Sequence, residues 1–174
     1  MSANLLITYG SWADGTKGTA IEMTEKLRQV PGLTVDVQPA KVVKNLKPYQ
    51  AVIIGTGARM GGLHPSVINF IVRHEKSLKE IPSAFFISCL TMKEDTTDNR
   101  ETVTAYMDVL KQRVRSYKPV SVGLFGGVID YNKLPFYMRF FFQKSDDLKE
   151  GDYRDWDKIN QWAEEAVHLM LPQL

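Results

Sequence analysis

The sequence predicts an α/β fold in which helices cover both faces of a parallel sheet. Five short apolar runs alternate with amphipathic stretches along the chain, which is the order of elements in folds of this class. Most of these runs are continuous rather than alternating in polarity, as in strands that are buried on both faces. With 174 residues, of which 44% are hydrophobic, the chain suits one domain that spans residues 1–174.

The first predicted unit is a strand, a loop and a helix. The strand NLLITYG carries three adjacent apolar residues and ends at a glycine, and the stretch GTAIEMTEKLRQV then places apolar residues near helical spacing. The same criteria predict four more strands and three more helices. The strands are LTVDVQ, AVIIGTG, AFFIS and VSVGLFGG, and the helices are SVINFIVRHEKSL, ETVTAYMDVLKQRVRSY and DWDKINQWAEEAVHLML.

Composition limits the classes of function. The single cysteine, Cys89, cannot close an intrachain disulfide and no charged, then apolar leader opens the sequence, so we expect a cytoplasmic location. The apolar runs are too short to cross a bilayer. The net charge of +2 gives no electrostatic footprint for nucleic acid. Because the histidines, the cysteine and the carboxylates lack short ligand spacing, we predict no metal site.

The loops that follow the strands are the predicted binding region. Right-handed crossovers place all loops after parallel strands at one edge of the sheet, where ligands bind at the point of reversed strand order. Four such loops stand out in the sequence. They comprise residues 9–16, 55–64, 88–98 and 126–155.

The first of these loops, in TYGSWADGTKGTA, has the composition of an anion site. Glycines allow close approach, and the free N–H groups of a helix N-terminus favour a phosphate, to which Ser11 and Thr16 add hydroxyl donors. Alternatively, Gly10, Gly15 and Gly18 only form the turn into the helix, with Thr16 as its cap. The spacing matches neither the triphosphate-binding G-x-x-x-x-G-K-[ST] nor the dinucleotide-binding G-x-G-x-x-G motif.

The remaining pattern, Ser-x-x-x-x-Thr at the start of the first helix, resembles the phosphate loop of flavodoxins. Flavodoxins hold the FMN phosphate there without a compensating cationic side chain. This sequence departs from their pattern, because Asp14 stands where most flavodoxins have glycine and Gly15 follows one place later. A carboxylate beside a phosphate repels it unless the side chain points away.

Further stretches narrow the resemblance. VIIGTGARMGGLHPSVINFIVRH, then IPSAFFIS, and finally RDWDKINQWAEEAVHL resemble the flavodoxin-like protoporphyrinogen oxidase (menaquinone-dependent dehydrogenase) family of bacteria. The resemblance covers nearly the whole chain in the right order. It implies a three-layer, doubly wound, five-stranded parallel sheet with strand order 2-1-3-4-5, and a long insertion before the last helix.

The resemblance implies FMN as the cofactor, held by all four loops. A flavin ring is a flat apolar plate with a polar edge, so its site needs backbone donors and bulky apolar neighbours. The residues expected to bind it are Ser11, Trp12, Ala13, Asp14, Gly15, Thr16, Thr56, Gly57, Ala58, Arg59, Met60, Gly61, Ser88, Cys89, Leu90, Thr91, Gly126, Gly127, Asp130 and Tyr131.

Two residues of the second loop are candidates for catalytic roles. Arg59 would either place positive charge near the reduced flavin, which raises its reduction potential, or bind a substrate carboxylate. His64 would relay a proton, although a solvated loop histidine is the alternative. Because Met60 stands where flavodoxins often stack an aromatic ring, Tyr131 and Trp12 are the candidate aromatic neighbours of the flavin.

The insertion, at about residues 131–154, is rich in aromatic residues. Lys133, Phe136, Tyr137 and Arg139 are expected to form an apolar and basic lip for a flat substrate such as a porphyrinogen or a quinone. Six bulky apolar residues in seven cannot all face one side of a helix, so we expect partial burial and an exposed edge. That edge would make weak peripheral contact with the inner face of the cell membrane.

The resemblance implies an FMN-dependent oxidoreductase that takes electrons from protoporphyrinogen IX and passes them to a quinone. A flavodoxin-type electron carrier that docks on redox partner proteins is one alternative, although the nearly balanced charge lacks the acidic face usual in carriers. An NAD(P)H-dependent quinone reductase is another. A relative of the fold that has lost FMN is a third, motivated by Asp14 and Met60. The oligomeric state is not predictable from the sequence.

Overall fold

The computed structural model describes residues 2–144 and 149–174, with the backbone alone at Phe141 and Phe142. Two short 3-10 turns, Leu90–Lys93 and Tyr131–Lys133, accompany the strands and helices. The strands are β1 (Ala3–Gly10), β2 (Leu33–Pro39), β3 (Ala51–Arg59), β4 (Gly62–Leu63), β5 (Ser83–Cys89), β6 (Val122–Gly126), β7 (Val128–Ile129) and β8 (Gly151–Asp152). The helices are α1 (Gly15–Leu27), α2 (Pro65–Arg73), α3 (Glu75–Glu80), α4 (Thr97–Ala105), α5 (Asp108–Arg113), α6 (Phe136–Gln143) and α7 (Trp156–Met170).

The five long strands form a parallel sheet in the order β2-β1-β3-β5-β6. Numbered among themselves, these strands follow the predicted order 2-1-3-4-5, so the predicted fold class is confirmed. The chain turns back past β1 to place β3 on its other side, and the order therefore reverses between β1 and β3. The loops that follow these two strands lead to helices on opposite faces of the sheet, and the crevice between such loops is the usual ligand position.

Helices cover both faces of the sheet, as the continuous apolar strands predict. On one face, α1 and α7 pack against β1 and β5 through Met23, Phe86 and Ile159. On the other face, α2 and α5 bury Phe70 and Leu110 in a second cluster. Both clusters are apolar and fully buried at their centres. This double burial fixes the sheet rigidly and so fixes the loops at its carboxyl edge.

Two predicted helices are each divided in the structure. The helix predicted over SVINFIVRHEKSL ends at Arg73 and restarts at Glu75, because His74 leaves helical geometry and its ring packs 4.8 Å from that of Phe70. Arg73 donates to the carbonyls of Ala40 and Val43, both at 3.2 Å, and so ties the break to the loop after β2.

The second divided helix lies in the stretch ETVTAYMDVLKQRVRSY. It starts earlier than predicted, at Thr97, since the Thr96 hydroxyl accepts from the Asn99 N–H and caps the helix. It also stops sooner. The second half ends at Arg113, and Tyr117 is buried beyond it with its ring edge-on to Phe85. Burial of these side chains outweighs the helical pattern.

The insertion, predicted at about residues 131–154, spans residues 127–155 between β6 and α7 in the structure, and the name refers to this range below. The short strands β7 and β8 pair antiparallel at its base, and the Tyr153 N–H donates to the Gly127 carbonyl at 3.0 Å. Between them lie the 3-10 turn and α6. The second predicted loop, residues 55–64, is also partly strand. In the structure β3 continues to Arg59 and turns back antiparallel into β4.

Candidate functional site

A cavity of about 1230 Å³ opens at the carboxyl edge of the sheet. Small-molecule sites usually measure about 300–1,000 Å³, so this cavity has room for more than one planar ligand. Its walls come from the loop after β1, the β3–β4 hairpin, the turn after β5, the end of α4 and the insertion. The lining residues are Ser11, Trp12, Ala13, Gly15, Thr16, Gly57, Ala58, Arg59, Met60, Gly61, Ser88, Cys89, Leu90, Thr91, Tyr106, Gly127, Val128, Ile129, Asn132, Lys133, Leu134, Pro135, Tyr137 and Met138.

One end of the cavity is the N-terminus of α1. The Gly18 N–H donates to the Asp14 carbonyl at 2.8 Å, which closes the first helical turn. The N–H groups that precede it in the turn belong to Gly15, Thr16 and Lys17, and helix geometry gives such groups no intrahelical partner. Together with the helix dipole they favour an anion. Thr16 is buried at this point and contributes a hydroxyl to the cavity wall.

Asp14 precedes this turn in an unusual conformation. Its φ of 60° lies in the left-handed region, which favours glycine and explains why glycine suits this position in flavodoxins. Its side chain makes no capping hydrogen bond. Instead, the Asp14 carboxylate lies 3.6 Å from the Lys133 ammonium of the insertion. Asp14 is not part of the cavity wall.

Trp12 lines the cavity beside this turn and rests on His64. The two rings are tilted by 52° with centroids 4.6 Å apart. His64 itself caps α2, since its ring Nδ1 accepts from the Ser66 backbone N–H at 3.3 Å. The backbone N–H of His64 donates to the Thr56 hydroxyl at 3.0 Å. Partial burial, with Lys41 nearby, lowers the pKa of the His64 imidazole. His64 therefore supports Trp12 from behind and does not line the cavity.

Arg59 supplies a cation to the opposite wall. It is the last residue of β3, and it lines the cavity together with the tightly turned Met60 and Gly61, both at positive φ. Its Nη2 atom is buried and has no hydrogen-bond partner among the residues that the structure describes. A buried guanidinium nitrogen without a partner is costly in free energy. Arg59 as a whole is half-buried and lines the cavity, so its side chain is close to any ligand bound there.

The turn after β5 forms the floor of the cavity. The last two residues of β5, Ser88 and Cys89, and the first two of the 3-10 turn, Leu90 and Thr91, all line it. The Ser88 hydroxyl donates to the Gly126 carbonyl at 3.3 Å and so joins the ends of β5 and β6. Burial raises the pKa of the Cys89 thiol. At neutral pH this cysteine is a protonated, apolar part of the wall.

Seven of the other predicted site residues also lie outside the cavity wall. Thr56 is buried beneath it, and Gly126 faces a smaller pocket with Tyr153, whose carbonyl oxygen lies 2.0 Å from where a Cβ would stand. Asp130 caps the 3-10 turn by accepting from the Asn132 N–H at 2.9 Å. Together with Asp14, the residues outside the wall are Thr56, His64, Gly126, Asp130, Tyr131, Phe136 and Arg139.

Sequence reasoning did not select several residues that line the cavity. Tyr106 projects from the end of α4, and a single tyrosine within a helical pattern gives no signal of a binding role. Its ring lies beside Gly61, since Cε1 would be 3.8 Å from a Cβ at that position. The others belong to the insertion, whose aromatic composition pointed to the region without resolving its faces. They are Val128, Ile129, Asn132, Leu134, Pro135 and Met138.

The described part of the chain has neither a cluster of candidate metal ligands nor a helix that could span a membrane. Within ranges 2–144 and 149–174, no cluster of three or more histidine, cysteine or carboxylate side chains is arranged to hold a metal ion. Across the same ranges, none of the helices combines the length and the apolar character needed to cross a bilayer.

The family of this chain follows from comparison with known proteins. A protein-family model described as a flavodoxin domain matches residues 6–155. The chain belongs to the flavodoxin domain family. The matched range includes the four rim loops and the insertion, so this flavodoxin domain carries all of the cavity walls described above.

Two relatives of this flavodoxin domain carry the same name. The protoporphyrinogen IX dehydrogenase [quinone] of Leishmania major is 27% identical over 98% of this chain and 77% of its own length. The protein of the same name from Escherichia coli strain K12 is 25% identical over 94% of both chains. The resemblance identified from the sequence motifs is therefore confirmed over nearly the full length.

A solved structure supports the fold independently. The oxidised flavodoxin 1 of Bacillus cereus superposes with a TM-score of 0.58 at 17% identity, covering 95% of this chain and 97% of its own. At that identity the likeness establishes the fold alone. Together with the family match, it supports a flavin cofactor for this flavodoxin domain.

Proposed function

We propose that the protein is an FMN-dependent oxidoreductase that takes electrons from protoporphyrinogen IX and passes them to a quinone. One observation carries the proposal: one large cavity is lined both by the anion-favouring start of α1 and by the half-buried Arg59, whose Nη2 has no hydrogen-bond partner among the described residues. A flavin mononucleotide has a phosphate at one end and carbonyl acceptors on its ring at the other. The residues present fit that group, and the names of the two curated relatives supply the reaction.

Different residues of the cavity would bind different parts of the cofactor. The first turn of α1 and the Thr16 hydroxyl would hold the phosphate, while the ring would lie between Trp12 and the floor at Ser88–Thr91. When bound, FMN supplies the acceptance and release of an electron pair. Arg59 would donate to an acceptor on the polar edge of the ring. Its fixed charge favours the reduced, more negative form over the oxidised form.

The outer part of the cavity would take the substrate. Tyr106, Tyr137 and Met138 line it with apolar surface on which a flat macrocycle can rest. Arg139, exposed on α6, would pair with a carboxylate of the substrate outside the wall. Among the described residues, no carboxylate and no imidazole lines the cavity, so protons would leave to solvent. The volume allows substrate and cofactor to be present together.

The reaction is tested by anaerobic absorption spectroscopy of the FMN-loaded protein. We expect protoporphyrinogen IX to bleach the flavin band and a quinone to restore it. Because full oxidation of the porphyrinogen removes more electrons than one flavin accepts, protoporphyrin should accumulate only over repeated cycles with quinone present. Reduction by NADPH but not by the porphyrinogen would contradict this assignment in favour of a quinone reductase. Reduction by neither would contradict it in favour of an electron carrier.

The surface around the mouth has a composition suited to a membrane. Phe136, Tyr137 and Phe140 of α6 are 86%, 63% and 54% exposed, and Met60 on the opposite rim is 97% exposed. Cations stand among them: Arg139 is exposed, and the Lys144 ammonium lies 4.2 Å from the centre of the Phe140 ring. Apolar side chains with interspersed cations suit an anionic bilayer. We therefore propose peripheral contact of α6 with such a bilayer, from which an apolar quinone could enter.

Vesicle sedimentation tests this contact. We expect the protein to sediment with vesicles that contain anionic lipid, less so at high salt, and Phe136→Glu to lose most of this binding. Leu169→Glu makes the same change at a residue that is 59% exposed on α7 and serves as the control. Equal binding by the two variants would rule out α6 as the contact.

A further inference from the structure

The insertion touches the start of α1 at three points. A Cβ on Gly15 would lie 2.9 Å from the Val128 side chain, so the base of the insertion is seated directly on this turn. The Arg154 guanidinium donates to the Gly15 carbonyl at 3.4 Å. The third contact is the pair between Asp14 and Lys133, at 3.6 Å. The contacts come from both ends and the middle of the insertion, which therefore forms one unit with the proposed phosphate site.

The two cations in these contacts differ in how fully they are paired. The Arg154 side chain is 14% exposed, binds Asp152 through Nε and Nη2 at 2.8 and 2.5 Å, and lies over the Trp156 ring. Its charge is thus used inside the insertion. Lys133 is 48% exposed, lines the cavity, and its separation from Asp14 is long for an ion pair. An exposed pair of this kind contributes little free energy, so its ammonium is available to a second anion.

Asp14 creates the need for that cation. It places a carboxylate at the residue before the first turn of α1, where a phosphate carrying nearly two negative charges would bind. At a separation of several ångströms, even partly screened charges of the same sign repel appreciably. The flavodoxin loop that this segment resembles has neither the carboxylate nor a cation. Here the insertion supplies the cation from outside the loop.

We propose that Lys133 is a phosphate-binding residue that offsets the charge of Asp14 and bonds to the phosphate of the flavin. The inference rests on the proposed FMN site and concerns the chemistry that selects its ligand. Because Lys133 belongs to the insertion, a bond to the phosphate would hold residues 128–140 against the loop. The phosphorylated cofactor thereby fixes the outer wall of the cavity, and riboflavin, which lacks the phosphate, does not.

The test compares the dissociation constants of FMN and riboflavin, measured from the quenching of flavin fluorescence. For Lys133→Ala we expect FMN to bind about tenfold more weakly, the loss of one charge-assisted hydrogen bond, and riboflavin to bind as in the wild type. Lys149→Ala removes the same charge from another exposed residue of the insertion and is the control. Asp14→Gly should bind FMN at least as tightly as the wild type.

The ordering of residues 128–140 by the phosphate has its own readout. Amide hydrogen exchange in residues 128–140 should slow when FMN binds the wild type, but not when riboflavin binds, and not when FMN binds Lys133→Ala. Equal losses of FMN and riboflavin in Lys133→Ala, or no loss of FMN, would overturn this inference alone. A wild-type protein that binds neither flavin would instead overturn the proposed function.

Discussion

The variant Thr16→Val should bind FMN about 5- to 150-fold more weakly than the wild type. The substitution keeps the shape of a buried side chain in the first turn of α1 and removes the hydroxyl that it presents to the cavity. A buried partner left without its hydrogen bond costs about 1–3 kcal/mol. Titration of the purified variant with FMN, followed by the quenching of flavin fluorescence, measures the change.

The control for this variant lies in the same helix. Thr24 is also fully buried in α1, and its hydroxyl donates to the Ala20 carbonyl at 2.8 Å, two turns away from the cavity. Thr24→Val repeats the chemical change without touching the proposed phosphate site, so its FMN affinity should stay at the wild-type value. If both variants lose affinity equally, the loss reflects the helix as a whole and Thr16 has no particular role.

The variant Arg59→Ala should lower the reduction potential of the bound flavin by about 30–60 mV. A charge-assisted hydrogen bond to the reduced flavin contributes about 1.5–3 kcal/mol, and about 1.4 kcal/mol corresponds to 30 mV for a two-electron couple. The buried, unpartnered Nη2 of Arg59 is the group that would make this bond. A spectroelectrochemical titration of the loaded protein measures the potential.

Two companion variants sharpen that measurement. Arg59→Lys keeps the charge but replaces the planar guanidinium by a single ammonium nitrogen. The flavin potential of this variant should therefore fall between those of the wild type and Arg59→Ala. Arg115→Ala removes an exposed arginine that does not line the cavity, and should leave the potential unchanged. An unchanged potential in Arg59→Ala would mean that this side chain does not contact the flavin.

The parallel sheet and its two covered faces were predictable because they depend on local patterns, whereas the strand order was implied only by the resemblance to flavodoxins. Continuous apolar runs in β3 and β5 report burial on both sides, and short crossovers then fix where the loops lie. The turn from β1 into α1 was equally readable, since glycines and a threonine at a strand end have few other uses. Most of the predicted loop residues consequently line one cavity.

The features that escaped prediction depend on contacts between distant segments. His64 follows β3 in sequence, yet its ring is taken up by capping α2 and supporting Trp12, and no local pattern encodes either contact. Tyr106 reaches the cavity only because α4 ends at its mouth. Likewise, the sequence does not show which way the Asp14 side chain points. In the structure its carboxylate lies beside Lys133 of the insertion.

The visible absorption spectrum of the purified protein shows whether it binds a flavin. After incubation with FMN and removal of the excess, we expect a flavin band at one equivalent per chain. No band after such incubation would contradict this expectation, and the cavity between α1 and Arg59 would then belong to a flavodoxin domain that does not bind the flavin.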